Sequence, residues 1–396
     1  MMRKLVAFEI LFAKKPPIFF SGRSVDGIVV VHVSQDIEIR SIRVRIYGEA
    51  NTCIRMRNGN PFINHGNGTV AIQPGGGYCY NEKEVYLDRS INLWGNNEGQ
   101  TNGNDAFLPA GRHEFEFNFS LSAEVRIPSS FSLLSQCSIR YVVIASIDRT
   151  GKSPRIIKRP IALLESISID RPALIQPPCL KENETILCCC CCQSGPIKLR
   201  AGIDRSGYCP GEKIIIDAEC ENLSSRRLSS IRITLIRHVH WKAKGIHCYR
   251  SFICYETQSN QSIGPQETYK WNDRLSALPA LPPTIKSCRF ISVTYQLKAT
   301  VVIPYDENIQ VTFPVVIGTV SARLQDRYAQ NLQEIDSNLC PEPSSSTITE
   351  AENAYLALPP PSYEECVNNS VDLSQVDDSS FIIEDESSSI PTEVAL

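Results

Sequence analysis

From Ile139 to Ile147 the chain alternates without a break: Ile139, Tyr141, Val143, Ala145 and Ile147 fall on one face. Successive side chains of a strand point to opposite faces, so a period of two marks one buried face and one solvated face. The rhythm returns from Ile291 to Ile303 through Val293, Tyr295, Leu297, Ala299 and Val301. Phe115, Phe117, Phe119 and Leu121 repeat it, and Phe8, Ile10 and Phe12 do so on a smaller scale. In the first half of the chain nothing has the i, i+3, i+4 spacing of a long amphipathic helix. Strands separated by turn signals predict an all-β chain of antiparallel sandwiches with an immunoglobulin-like build.

The interruptions are as informative as the runs. Ile37 and Ile39 alternate in one parity, and Ile42, Val44 and Ile46 in the other, so a bulge or break is expected at Arg40-Ser41. Arg43 and Arg45 share the opposite face of that strand, which reads as solvated. Between Cys53 and Asn104 the pattern weakens, and Pro74-Gly75-Gly76-Gly77 and the run from Gly95 to Asn104 read as loops. Leu108-Pro109-Ala110-Gly111 is a turn launching the Phe115 strand.

The grammar then repeats. Gly207-Tyr208-Cys209-Pro210-Gly211-Glu212 precedes Ile214-Ile215-Ile216 much as Gly22 to Gly27 precedes Ile28 to Val33. Leu281-Pro282-Pro283-Thr284, Cys288 and the Ile291 strand follow the order of Ile127-Pro128-Ser129-Ser130, Cys137 and the Ile139 strand. Pro314 in the last strand requires an edge or a bulge, because proline has no N–H to give. Two copies of one sandwich explain this order: a first domain over 1–170, a Cys- and Pro-rich connection over 171–195, a second domain over 196–325 and a tail over 326–396.

Five consecutive cysteines, Cys188, Cys189, Cys190, Cys191 and Cys192, fall in the connection. Neighbouring thiols on a strand face opposite ways, and zinc sites separate paired cysteines by roughly two to four residues, so no metal site is expected there. Lipid attachment, a redox-sensitive cluster and a half-buried strand remain open. No apolar run reaches the roughly 18–20 residues of a membrane span. Glu9 interrupts the apolar N-terminus, which therefore reads as a strand and not a signal peptide. The expected setting is cytoplasmic, with free thiols and no glycans. His238-Val239-His240 puts two imidazoles on one strand face, but no carboxylate or nucleophile pattern joins them, so no enzyme and no cofactor is expected.

Charge divides the chain. All 40 Lys and Arg lie within residues 1–327, beside 29 of the 43 Asp and Glu, a balance of +11; the segment from Tyr328 onward holds the other 14 acids and no base. A basic body suits anionic partners such as lipid headgroups or phosphorylated segments, and the tail reads as disordered. Within the tail, Pro360-Pro361-Ser362-Tyr363 follows Pro359. Consecutive prolines favour a polyproline II ridge, which aromatic grooves of WW-type domains bind at little ordering cost. Pro360, Pro361 and Tyr363 are the expected contacts. Phe381-Ile382-Ile383, followed by Glu384-Asp385-Glu386, is a second apolar island.

Taken in order, these motifs resemble the α-arrestins, the arrestin domain-containing proteins, over nearly the whole chain. The resemblance rests on Tyr47-Gly48-Glu49-Ala50, Leu108-Pro109-Ala110-Gly111-Arg112-His113, Pro128-Ser129-Ser130-Phe131, Gly207-Tyr208 with Pro210-Gly211-Glu212, Leu281-Pro282-Pro283 and Pro314-Val315-Val316-Ile317-Gly318-Thr319. It implies two arrestin-type sandwiches and a non-catalytic adaptor that brings WW-domain ubiquitin ligases of the HECT class to membrane cargo tails, for ubiquitination, endocytosis and endosomal sorting. It also implies recruitment from cytoplasm to plasma membrane and endosomes, with no nucleic-acid partner. Relatives often carry two docking motifs; this sequence shows one. The alternative within the family is a thiol-linked regulator of the thioredoxin-interacting type, for which Cys248, Cys254 and Cys288 are candidates without a CxxC pairing.

Overall fold

The computed structural model describes residues 5–13, 15–56, 71–72, 78–95, 106–121, 126–149, 152–189, 192–274, 278–321 and 382–385. The first domain begins with β1 (Leu5–Leu11), β2 (Ile18–Phe20), β3 (Ser24–Val33), β4 (Ile37–Ile39), β5 (Ser41–Met56) and β6 (Ala71–Ile72). It continues with β7 (Tyr78–Gly95), β8 (Ala106–Leu108), β9 (Gly111–Ser120), β10 (Phe131–Leu133), β11 (Cys137–Arg149) and β12 (Lys152–Leu164). A one-turn helix, α1 (Pro172–Ile175), leads to β13 (Lys181–Cys189), β14 (Cys192–Ile203), β15 (Gly207–Tyr208), β16 (Ile215–Asn222) and β17 (Ser230–Ala243). The remaining strands are β18 (Ile246–Gln258), β19 (Glu267–Arg274), β20 (Ile291–Val302), β21 (Ile309–Ile317) and β22 (Ile382–Asp385).

Each domain is a sandwich of unequal sheets. In the first, β1-β3-β9 faces the sheet β2-β12-β11-β5-β7-β6, with β10 added to β11; in the second, β13-β14-β16-β19 faces β15-β21-β20-β17-β18-β22. The alternating residues of β11 and β20 are buried, which is the arrangement their period of two demands. The break expected at Arg40 is real: β4 ends at Ile39 and β5 starts at Ser41. On the outer face of β5, Arg45 meets Asp88 of β7 through two hydrogen bonds of 2.6 Å.

The duplication extends to single hydrogen bonds. The Tyr141 hydroxyl donates to the Pro128 carbonyl at 2.6 Å, and the Tyr295 hydroxyl donates to the Pro282 carbonyl at 2.5 Å. The Leu163 N–H donates to the Ser130 hydroxyl, and the Ile317 N–H donates to the Thr284 hydroxyl, both at 2.9 Å. Every second-domain residue in these pairs lies 154 positions after its first-domain counterpart. Each tyrosine ties the connection before a long strand to that strand, and each hydroxyl acceptor ties the same connection to the strand that follows. Removing a hydroxyl leaves a carbonyl short of its donor, which costs about 1–2 kcal/mol. Tyr141→Phe and Tyr295→Phe are each expected to lower stability by about that amount, read from the denaturant midpoint.

Two sequence features acquire a structural cause in the second domain. Gly211 takes a φ of +87°, a conformation that strains residues carrying a Cβ. The turn it makes points Glu212 inward, where its carboxylate accepts the Cys209 N–H at 2.7 Å and meets the buried Arg205 at 3.2 Å. Pro314 pairs with Gln296 on one side; on the other, β15 reaches only Val316 and Ile317, so the missing N–H faces an open edge. The outward carbonyls of Gln310 and Thr312 on that edge are capped by the side chains of Asn183 and Lys181 from β13.

Two segments outside the expected sandwiches are strands. The polar segment Lys181–Cys189, within the expected connection, is a full strand paired with β14. The tail contributes β22, which adds antiparallel to the start of β18. Neither segment alternates, and each is held by a neighbouring strand that already exists.

Candidate functional site

The two sandwiches meet where the β5–β7 pair of the first domain touches the β17–β18 hairpin of the second. The Thr52 hydroxyl donates to the Lys242 carbonyl at 2.9 Å, and the Lys244 N–H donates to Glu82 at 3.3 Å. Beside them, the Arg289 N–H donates to the Tyr86 hydroxyl at 3.2 Å, and the Ser287 hydroxyl donates to the Glu165 carboxylate at 2.6 Å. The chain leaving β12 is stitched to the end of the second domain. The Ile167 N–H donates to the Thr319 hydroxyl, which donates to the Glu165 carbonyl, both at 2.7 Å. Gly318 belongs to the same joint: a Cβ there would collide with the Ile169 side chain. Ser287→Ala removes the donor facing a charged acceptor and is expected to cost about 1.5–3 kcal/mol, measured as a lowered denaturant midpoint.

Thiols cluster at this seam but are poor nucleophiles. Burial pushes the Cys248 thiol up to about 11 and raises Cys288 as well, despite a Tyr86 hydrogen bond that opposes the rise. Burial also raises Cys137 and the half-buried Cys254. Thiolate is the reactive form, so these groups serve as small apolar side chains. Cys53 and Cys79 place their sulfurs 2.9 Å apart in a polar cleft of about 580 Å³, yet burial and the Cys79 neighbour push Cys53 up to about 11.

Of the candidate residues, Pro360, Pro361 and Tyr363 lie outside the described residues, as do Cys190 and Cys191. The backbones of Cys188, Cys189 and Cys192 close the β13–β14 hairpin, with Cys188 opposite Gln193 and Cys189 opposite Cys192. His238 and His240 do share a face. His238 bonds Ser251 at 2.8 Å, and His240 bonds His247 at 2.8 Å while stacking on Tyr249. Burial, then His247 and Lys242, hold His240 below the usual imidazole range. Among the described residues no three His, Cys, Asp or Glu gather as metal ligands.

A feature that composition could not localise is the outer edge of β12. Lys152, Arg155, Lys158 and Arg159 are exposed there, with Ile156 53% exposed among them. The other strand beside β12, β2, pairs only with Ala162 to Leu164, so among the described residues this basic stretch is an open edge. The only sequence signal was the basic run itself, and basic strands are common on solvated faces.

Comparison with known proteins agrees with this architecture. Residues 8–170 match the family model "Arrestin (or S-antigen), N-terminal domain", and residues 193–322 match "Arrestin (or S-antigen), C-terminal domain". Arrestin domain-containing protein 4 of Mus musculus is 28% identical over 76% of this chain and 69% of its own length. The Homo sapiens protein of that name is 29% identical over 76% and 68%. Thioredoxin-interacting protein of Homo sapiens is 23% identical over 87% of this chain and 84% of its own. With both sandwiches matched in chain order and these relatives spanning them, the chain belongs to the arrestin family, in its α-arrestin branch.

Proposed function

We propose that this arrestin-type frame is a non-catalytic adaptor that joins a WW-domain ubiquitin ligase of the HECT class to membrane cargo. The tail supplies the ligase contact through Pro360, Pro361 and Tyr363, and the basic body supplies the contact with anionic cargo tails or the cytoplasmic membrane surface. Ubiquitination, endocytosis and endosomal sorting of the cargo follow from that bridge. The observation that carries the reading is one Pro-Pro-x-Tyr motif in an acidic, lysine-free segment behind two arrestin domains. A tail without lysine offers no side-chain amine to the ligase it recruits, so self-modification falls on the body. Lys213, Lys270 and Lys286 are exposed acceptors there.

The open β12 edge favours the body's role. Its lysines and arginines present charge along an extended backbone, which suits a strand-like anionic segment. The thiol-linked reading draws on the name of one relative, whereas burial disfavours Cys248, Cys254 and Cys288 as attacking groups. The deciding experiment is affinity recovery from cells with wild type and Tyr363→Ala. Loss of the ligase with membrane proteins retained supports the adaptor; an unchanged ligase refutes it.

A further inference from the structure

Cys53 of β5 and Cys79 of β7 share one face of the first domain's larger sheet. Cys53 stands opposite Asn81 and Cys79 opposite Arg55, with β6 beyond Cys79 at Ala71. The two sulfurs are 2.9 Å apart, and the Cys79 thiol donates to the Asn81 side-chain oxygen at 3.2 Å. Both thiols line the polar cleft of about 580 Å³. We propose that this cleft is a reaction site for a small anionic peptide disulfide, glutathione disulfide, which joins Cys53 to Cys79.

The cleft wall bears the groups that such a ligand needs. The Arg140 Nε and the Gln136 Oε1 are buried there without a hydrogen-bond partner among the described residues. A guanidinium donor and an amide acceptor are thus left for a bound molecule to satisfy. Of the other charged groups facing the thiols, Lys83 is paired with Glu49 at 2.6 Å, and Glu82 approaches Lys244 at 3.8 Å. Among the described residues this leaves Arg55 and Arg140 to meet a peptide carboxylate. Cys53 is half-buried and Cys79 is 8% exposed, so Cys53 is the thiol that an incoming disulfide reaches first. The reaction needs none of Cys248, Cys254 and Cys288.

The Cys53 thiolate attacks one sulfur of glutathione disulfide, whose S–S bond breaks, and the departing glutathione thiolate is protonated. The Cys79 thiolate then attacks the Cys53 sulfur and expels the second glutathione in the same way. Two protein thiols and one disulfide become one protein disulfide and two glutathione thiols, with two electrons passed to glutathione. Burial, then the Cys79 neighbour, push the Cys53 thiol up to about 11, and Arg55 opposes the rise. Thiolate is therefore a small minority near neutral pH, and its share grows about tenfold per pH unit below the pKa. The first step is slow at neutral pH and accelerates as pH rises. The second is fast, because the two sulfurs are already neighbours. The link ties the end of β5 to the start of β7, beside the Thr52 and Glu82 contacts to the second domain.

The test treats the full chain with glutathione disulfide, blocks the remaining thiols with N-ethylmaleimide and maps the cysteine peptides by mass spectrometry without reduction. Free Cys53 and free Cys79 are expected to fall together by about tenfold or more, to be replaced by a Cys53–Cys79 cross-link, and to return with dithiothreitol. The rate should rise about tenfold per pH unit above neutrality. Cys79→Ser should accumulate glutathione on Cys53, about 305 Da heavier, whereas Cys53→Ser should leave Cys79 unmodified. Both cysteines still free, a cross-link from Cys53 to Cys137, or glutathione retained on Cys53 of the wild type would each overturn the proposal. Glutathione on Cys79 of Cys53→Ser would overturn Cys53 as the entering thiol. Arg140→Gln should slow the reaction with glutathione disulfide by about fivefold or more and leave that with neutral hydroxyethyl disulfide unchanged. Equal rates for Arg140→Gln and wild type with both disulfides would overturn the cleft as the recognition site. No ligase enters these readouts, so their failure would leave the adaptor reading standing.

Discussion

Tyr363→Ala is expected to reduce recovery of a WW-domain ligase to background while membrane partners are retained. The size of the effect follows from the absence of a reserve. Burying an aromatic anchor in a pocket commonly contributes about 2 kcal/mol or more, roughly a thirtyfold change in affinity. In a chain with two motifs, avidity would mask such a loss. The other proline pairs, Pro16-Pro17, Pro177-Pro178 and Pro282-Pro283, have no tyrosine two residues beyond the pair. Pro282-Pro283 is moreover committed to the fold: Pro283 is buried, and the Pro282 carbonyl holds the Tyr295 hydroxyl. Phosphorylation of Tyr363 should act in the same direction, because it adds about −1.5 to −2 charges to a ring meant for an apolar slot. Affinity recovery with a ligase immunoblot, alongside Pro360→Ala and Pro361→Ala, gives the measurement. Full recovery from the Tyr363→Ala chain would end the single-motif account.

Gly48→Val should be strongly damaging to the first domain. Gly48 of β5 pairs directly with Tyr141 of β11, and the tyrosine ring lies over the glycine so closely that a Cβ would overlap it. The ring, 1% exposed, can yield only by giving up its hydroxyl bond to Pro128. Overpacking in such a site usually costs about 1–3 kcal/mol, and here the loss of the hydroxyl tether adds about 1–2 more. A total near 4 kcal/mol is a large part of a domain's stability. The expected result is insoluble or protease-sensitive protein. Gly48→Val combined with Tyr141→Ala should recover part of the soluble yield, because it empties the volume the valine needs. A soluble Gly48→Val single variant with an unchanged denaturant midpoint would contradict the packing described.

The sandwiches were legible because their main signal is local. Ile139 to Ile147 and Ile291 to Ile303 declare a buried face within nine to thirteen residues, and each of those side chains is buried. Arg40-Ser41 was legible for the same reason, since a change of parity needs no partner to be seen. What could not be read depends on distant chain. The Ser287–Glu165 contact spans 122 residues, and the strand at Lys181–Cys189 shows itself only through β14. β22 is the extreme case, an aliphatic triplet before three acids whose strand character comes from an edge more than 130 residues earlier. The candidate site divides along the same line. Pro360, Pro361 and Tyr363 lie outside the described residues and stand as a four-letter sequence pattern alone. The basic edge of β12 needed the topology, because a charge count does not say which edge is open.

The constant spacing of the tyrosine tethers has a consequence for chain length. From Pro128 to Leu163 and from Pro282 to Ile317 the two copies have the same length, and a residue gained or lost between Pro128 and Tyr141 or between Pro282 and Tyr295 would shift a tyrosine away from its acceptor. The stretches before them are under no such accounting. Phe19 and Tyr208 hold equivalent places beside the closing strands, yet Pro128 lies 109 positions after Phe19 and Pro282 only 74 positions after Tyr208. The first domain thus carries its surplus upstream of the metrical part of the sandwich, on both sides of β7. An epitope or fluorophore meant to leave the frame undisturbed belongs in that surplus, and the stretches from Pro128 to Tyr141 and from Pro282 to Tyr295 are the places to avoid.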